Sequence, residues 1–221
     1  MNENSKFVEL DRASVVFGRR VALSDVSLDI SRGDFVVLQG PTGCGKSVIL
    51  KLICGLILPT SGSVRIVGES TSSLTAEQRR TLRHAIGLML QNMPLLEDRT
   101  ILENVMLPAM AARQTTFEAR RRATYALERC KMGEFARARP IDLSSGQRQV
   151  VSLARAVVNE PAIVLADEPA ANLDGRTAQN LLNLLGEFST YGITVVMSTH
   201  LSLVPENTPH RSVKFQAKGA P

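Results

Sequence analysis

The sequence predicts an α/β fold built on a parallel sheet, and three observations carry the prediction. Predominantly apolar runs, Phe35-Val36-Val37-Leu38, Ile163-Val164-Leu165-Ala166 and Ile193 to Ser198, lack polar alternation and so mark strands buried on both faces. Helical patterns separate these runs, which is the alternation a parallel sheet with crossover helices requires. A glycine-rich loop, Gly40 to Ser47, joins the first run to a helix. Loops at the carboxyl ends of such strands are where ligands bind.

Length and composition set the bounds. The 221 residues suffice for one domain with a sizeable core, and 44% are hydrophobic. Only 15 Gly and 10 Pro occur, which argues against disorder and collagen. The longest apolar stretch, Val48 to Leu58, is broken by Lys51 and falls short of the roughly 18 residues a spanning helix needs. The opening residues, MNENSKFVELD, lack the apolar core of a signal peptide, so the chain is expected to stay in the cytosol. Cys44, Cys54 and Cys130 show no C-x-x-C spacing, which argues against a zinc site or a disulfide framework. Aromatics are scarce at 4%, so a nucleic-acid binder that stacks bases is not expected. The formal charge is +5, and residues 111–140 hold all of it, with eight basic side chains against three acidic ones.

In chain order, Val21, Leu23, Val26, Leu28 and Ile30 roughly alternate with polar residues, predicting strands with one buried face. Val48 to Cys54 reads as a helix, and Pro59-Thr60-Ser61-Gly62 as a turn before a strand at Val64 to Val67. Thr75-Ala76-Glu77-Gln78 has the spacing of a capping box. Ile86 to Leu90 reads as a strand ending at Gln91. From Thr100 to Lys131 the pattern is helical, with Phe117, Ala123, Leu127 and Cys130 on one predicted face. Further helices follow from about Ser145 to Asn159 and from Thr177 to Phe188, with a weak strand near Val213.

Gly40-Pro41-Thr42-Gly43-Cys44-Gly45-Lys46-Ser47 matches the P-loop pattern at every defined position. Its glycines let backbone N–H groups curl around a phosphate at a helix N-terminus, where the dipole favours anions. In that pattern Lys46 reaches the β- and γ-phosphates and the Ser47 hydroxyl ligates Mg²⁺. The strand at Ile163 ends in Asp167 and Glu168, suited to a second Mg²⁺ contact and to polarising an attacking water. Ser144 and Gln147 have capping-box spacing, and Gly146 leaves bare N–H groups for an anion.

The order of these motifs resembles the nucleotide-binding subunits of ATP-binding-cassette (ABC) transporters over nearly the whole chain. Beyond the P-loop, Gln91 ends a strand, Leu143-Ser144-Ser145-Gly146-Gln147 resembles the family signature, and Asn172-Leu173-Asp174 and His200 follow the carboxylate strand. The resemblance implies a P-loop NTPase core of ABC type with an N-terminal antiparallel β subdomain and an inserted α-helical subdomain. Residues 1–91 and 160–221 would form the catalytic core with its β part, and residues 92–159 the helical part. It implies an ATPase using ATP and Mg²⁺. Gln91 would contact Mg²⁺ and the water, and His200 would contact the γ-phosphate and hold Glu168. Phe17 would stack on adenine. Ser144, Ser145, Gly146 and Gln147 would meet the γ-phosphate held by a second subunit in a head-to-tail homodimer, with Asp174 ordering the interface.

Leu50 to Gly55, Asp98 to Val105, Arg155 to Pro161 and Leu165 to Asp174 resemble the cell-division branch of the family, FtsE, which pairs with the membrane protein FtsX. That branch implies an FtsX-like permease partner, peripheral attachment at the cytoplasmic face of the inner membrane, and no nucleic acid. Lipoprotein-release and efflux ATPases of the family share these features. The chain departs from the usual pattern at Ser145, where the signature has Gly, at Val150, where Arg is common, and at Leu201, where Asp is frequent. Those departures keep open a nucleotide-gated interaction protein with low hydrolysis. Cys44 marks the phosphate loop as a candidate redox-sensitive site. The resemblance also places the basic lobe near the membrane partner, with Arg120, Arg121 and Arg122 as candidate contacts to an acidic loop or anionic head groups.

Overall fold

A computed structural model describes residues 6–90 and 93–216. Two strands open it, β1 (Lys6–Phe17) and β2 (Arg20–Ser31), followed by β3 (Phe35–Gln39), α1 (Lys46–Ile53), β4 (Ser61–Ile66) and β5 (Glu69–Ser70). Next come α2 (Ala76–His84), β6 (Ile86–Met89), α3 (Ile101–Ala111), α4 (Thr116–Arg129) and α5 (Ser145–Val157). The chain continues through β7 (Ile163–Asp167), α6 (Gly175–Thr190), β8 (Thr194–Thr199) and β9 (Arg211–Lys214).

The strands form two sheets. One is antiparallel, in the order β2-β1-β4-β5, and the other is parallel, in the order β6-β7-β8-β3-β9. In the parallel sheet the period of two sends alternate residues to opposite layers. Phe35, Val37, Val164, Ala166, Val195 and Met197 face a core shared with α3, α4, α5 and α6. Val36, Leu38, Ile163, Leu165 and Val196 face a core shared with α1 and the antiparallel sheet. The helical residues inserted between β6 and β7 thus share one apolar core with the parallel sheet.

Local chemistry explains the boundaries. Complete capping boxes start α2 at Thr75, α3 at Thr100 and α5 at Ser144, each satisfying orphan N–H donors at a helix start. Asn104, fully buried on α3, ties down the segment before it by accepting from Leu96 N–H and donating to the Leu96, Arg99 and Thr100 carbonyls.

Two sequence expectations are corrected. Val21 is exposed, because the β1–β2 register shifts between the Val15–Leu23 and Val16–Val21 pairs and breaks the alternation. Phe117 is 79% exposed: α4 instead packs through Leu127 and the small residues Ala119, Ala123 and Ala126, which allow close approach to α3. Within the basic run, Arg121 and Arg122 both donate to Glu118.

Candidate active site

β3 lies inside the parallel sheet, flanked by β8 and β9, so the loop after Gln39 emerges at the carboxyl edge. Gly40 has no room for a side chain there: a Cβ would lie 2.5 Å from the Phe215 carbonyl oxygen and 2.9 Å from Cys44 Sγ. Gly45 takes φ 106°, and a Cβ on it would press on Ala22 O and Leu23 Cδ1 at 3.0 Å. These approaches hold the loop between the first hairpin at Gly45 and the segment after β9 at Gly40. α1 then begins at Lys46 with no side-chain cap, leaving its first turn to an anion.

Lys46 Nζ donates to Gly40 O at 2.6 Å and to Pro41 O at 3.1 Å. It also stands 3.4 Å from Glu168 Oε1, and its side chain is only 5% exposed. Asp167 ends β7 beside β8. Its Oδ1 accepts from Ser47 Oγ at 2.9 Å and from Ser198 Oγ at 2.6 Å. Glu168 follows in the left-handed region at φ 50°, held there by its N–H donating to Ser198 Oγ at 3.1 Å and to Ser198 O at 3.2 Å. That twist turns the Glu168 carboxylate away from the strand direction and toward His200. Its Oε2 accepts the His200 backbone N–H at 3.2 Å and lies 2.7 Å from His200 Nδ1.

A cleft of about 490 Å³ opens over these groups, walled by Thr42, Gly43, Lys46, Ser47, Glu168 and His200. Arg20, Val21 and Ala22 close it from the first hairpin. Phe17 pairs with Arg20 across the hairpin tip and is half exposed, just beyond the cleft's lining. Chemically, the cleft combines two cations, Lys46 and Arg20, with bare helix amides and the Glu168 carboxylate, while Asp167 stands behind Ser47. Ser47 Oγ and Asp167 Oδ1 form a pair of hard oxygen donors suited to a divalent cation that retains other ligands. No cluster of three or more His, Cys, Asp or Glu among the described residues builds a closed metal cage.

The structure leaves the other predicted group apart from this cleft. Ser144 caps α5, accepting from Gln147 N–H while the Gln147 side chain accepts from Ser144 N–H. Gly146 packs against Thr177 so closely that a Cβ has no space. Asp174 caps α6 by accepting from Thr177 N–H at 3.0 Å, and hydrogen bonding from the Thr177 side chain and then its N–H draws the Asp174 carboxyl below the usual range. None of the four residues 144–147 lines the phosphate-loop cleft. Ser145 instead borders a second cavity of about 410 Å³, whose walls include Asp167, Glu168 and Arg155. Gln91 lies outside the described residues.

Two residues at the site escaped sequence reading. Ser198 links the Asp167 carboxylate to the Glu168 backbone N–H, and its only sequence signal is a hydroxyl two positions before His200. Arg155 donates to main-chain carbonyls some sixty residues away, which no local pattern announces. Cys44 is 5% exposed, so burial shields the thiol that sequence alone had marked as redox-sensitive.

Comparison with known proteins agrees with this geometry. The sequence family described as ABC transporter matches residues 23–171. The chain is 41% identical over 183 residues to the cell division ATP-binding protein FtsE of Escherichia coli strain K12, covering 83% of this chain and 82% of that one. It is 44% identical over 171 residues to the lipoprotein-releasing system ATP-binding protein LolD of Pseudomonas fluorescens, covering 77% and 75%. Among solved structures, the dimeric bacterial ABC transporter cassette MJ0796 superposes with a TM-score of 0.84 at 34% identity, covering 95% of this chain and 94% of that chain. A dimeric post-hydrolysis state of that cassette, bound to ADP and Pi, gives 0.78 at 37% identity, covering 88% of each chain.

Proposed function

This chain belongs to the ABC transporter family as one of its ATPases, and we propose that it is an FtsE-like subunit whose ATP cycle drives or gates an FtsX-like membrane permease in cell division. The carrying observation is the Glu168 carboxylate, held between Lys46 on Oε1 and His200 on Oε2 at the wall of the cleft over the phosphate loop. In this reading the loop amides and Lys46 bind the ATP phosphates, with Lys46 exchanging the Gly40 and Pro41 carbonyls for phosphate oxygens. Glu168 orients the attacking water and accepts its proton, while His200 fixes the carboxylate. Catalysis is then positioning plus charge stabilisation. Ser47 and Asp167, with Gln91, would hold Mg²⁺, which neutralises phosphate charge when bound. Phe17 offers its exposed ring to adenine beside the hairpin wall.

The signature segment supports a paired arrangement. Ser144, Ser145, Gly146 and Gln147 lie outside their own chain's cleft, which leaves them for the γ-phosphate of a second copy in a two-fold homodimer. Asp174 would order that interface. The helical part, 92–159, carries this segment, while 1–91 and 160–221 carry the phosphate loop and carboxylates. No helix among the described residues is long and apolar enough to cross a membrane. Attachment at the cytoplasmic face of the inner membrane would therefore run through the partner.

Mixing two inactive variants tests the pairing. Lys46→Ala disables one chain's phosphate loop, and Ser144→Arg disables one chain's signature. A head-to-tail dimer of the two retains one intact composite site, so the mixture should regain ATPase activity that neither has alone. No recovery contradicts the paired site. The similarity to LolD favours a second reading, a lipoprotein-release ATPase. Co-purification from membranes separates the two by whether an FtsX-like or a lipoprotein-release permease is retained.

A further inference from the structure

Arg155 is a buried cation held by main-chain carbonyls. It lies in the last turns of α5, 7% exposed, and forms no ion pair among the described residues. Its guanidinium donates to the Pro94 carbonyl at 2.9 Å and to the Met93 carbonyl. Desolvation draws its pKa below the usual arginine value. An apolar side chain of similar length would fill this site without that cost. The arrangement therefore calls for a role other than packing.

The surroundings supply one. α5 starts at the signature segment and ends hard against β6: a Cβ on Gly87 would stand 2.6 Å from the Ala156 carbonyl oxygen. Just past the helix, Asn159 donates to Pro108 O of α3 at 3.2 Å. The tail of α5 is thus fixed to the sheet edge and to the neighbouring helix. The segment Met93–Pro94 follows β6, and β6 pairs with β7, whose end carries Asp167 and Glu168. The cavity of about 410 Å³ is bordered by Met93, Pro94, Arg155, Ser145, Asp167 and Glu168. The arginine fork lies where the signature helix, the segment after β6 and the carboxylate strand converge.

We infer that Arg155 is a positioning residue for ATP turnover: its two hydrogen bonds hold the segment after β6 to the signature helix and so set the spacing between Ser145 and the catalytic carboxylates. Its bonds touch neither the phosphate loop nor the first hairpin, so ATP affinity does not depend on it. The inference rests on the ATPase reading of the site, and its test separates the two. The chain contains no Trp, so Met93→Trp provides a single fluorophore while leaving the main-chain acceptor in place. Against that single variant as reference, Arg155→Met and Arg155→Lys are added in turn, and ATP Kd, kcat and the emission change on ATP addition are measured.

Arg155→Met should lower kcat on the order of 10-fold to 10²-fold with Kd within about twofold, and should abolish the emission change. Arg155→Lys should fall between, because an ammonium reaches one carbonyl where the fork reaches two. Turnover within about twofold of the reference in both variants overturns the inference. So does a parallel fall of ATP affinity and turnover with loss of far-UV dichroism, which assigns Arg155 to folding alone. Undiminished turnover after adding Glu168→Gln to the Met93→Trp chain strikes at the site reading instead.

Discussion

His200 meets Glu168 twice: its backbone N–H donates to Oε2 at 3.2 Å, and its ring Nδ1 lies 2.7 Å from the same oxygen. The opposite oxygen faces Lys46 Nζ at 3.4 Å. One carboxylate is therefore held from two sides, by a strand-end histidine and by the phosphate-loop lysine.

Removing the histidine ring leaves Glu168 tethered to Lys46 and to one backbone N–H. His200→Ala should lower kcat by about 10² or more, the range lost with a misaligned acid–base group. ATP affinity should change far less, because the loop amides and Lys46 remain. Steady-state phosphate release beside equilibrium ATP binding checks the split.

Ser198 supports both acidic residues, donating to Asp167 Oδ1 and accepting the Glu168 N–H. Ser198 is fully buried, so Ser198→Ala would leave this network short of one donor and one acceptor. The expected loss of stability is about 1–3 kcal/mol, read as a lower urea midpoint. Turnover should fall with it, since Glu168 loses one of the bonds that hold its left-handed backbone.

Gly87 sits where β6 meets α5. An alanine there would drive its methyl group into the Ala156 carbonyl, which is backbone and cannot rotate away. Gly87→Ala should cost about 1–3 kcal/mol, the range for overpacking a tight core, and thermal melting would show it.

Glu118 accepts from Arg121 and from Arg122, and these bonds hold its carboxyl down at about 2. The folded value lies below the ordinary carboxylate value of 4.5, so the pairing contributes fully above that pH and is lost as pH falls toward 2. The melting-temperature gap between the native chain and Glu118→Gln should be open at pH 6 and nearly closed near pH 2. The cluster is exposed, so added salt should narrow the gap as well.

The parts legible in the sequence share a physical reason. β3, β7 and β8 are buried on both faces, so their apolar runs have no competing interpretation. The capping boxes at Thr75 and Ser144 are local chemistry, complete within four residues. What was not legible depends on distant partners. Phe117 looked like core because it is large and at helical spacing, yet α4 packs through alanines and leaves the ring outside. Val21 lost its buried place to irregularities in strand pairing, which alternation alone does not register. Ser198 and Arg155 act through Asp167, Glu168 and the Met93 and Pro94 carbonyls, all placed by the sheet rather than by neighbouring sequence.

In the proposed cycle Glu168, held in this way, activates the water that attacks ATP. Glu168→Gln keeps the size of the side chain but removes its charge and basicity. Phosphate release measured alongside ATP binding and dimer mass should show turnover reduced by about 10² or more, ATP bound as tightly as before, and an ATP-bound dimer accumulating. Turnover at the native rate would contradict the account.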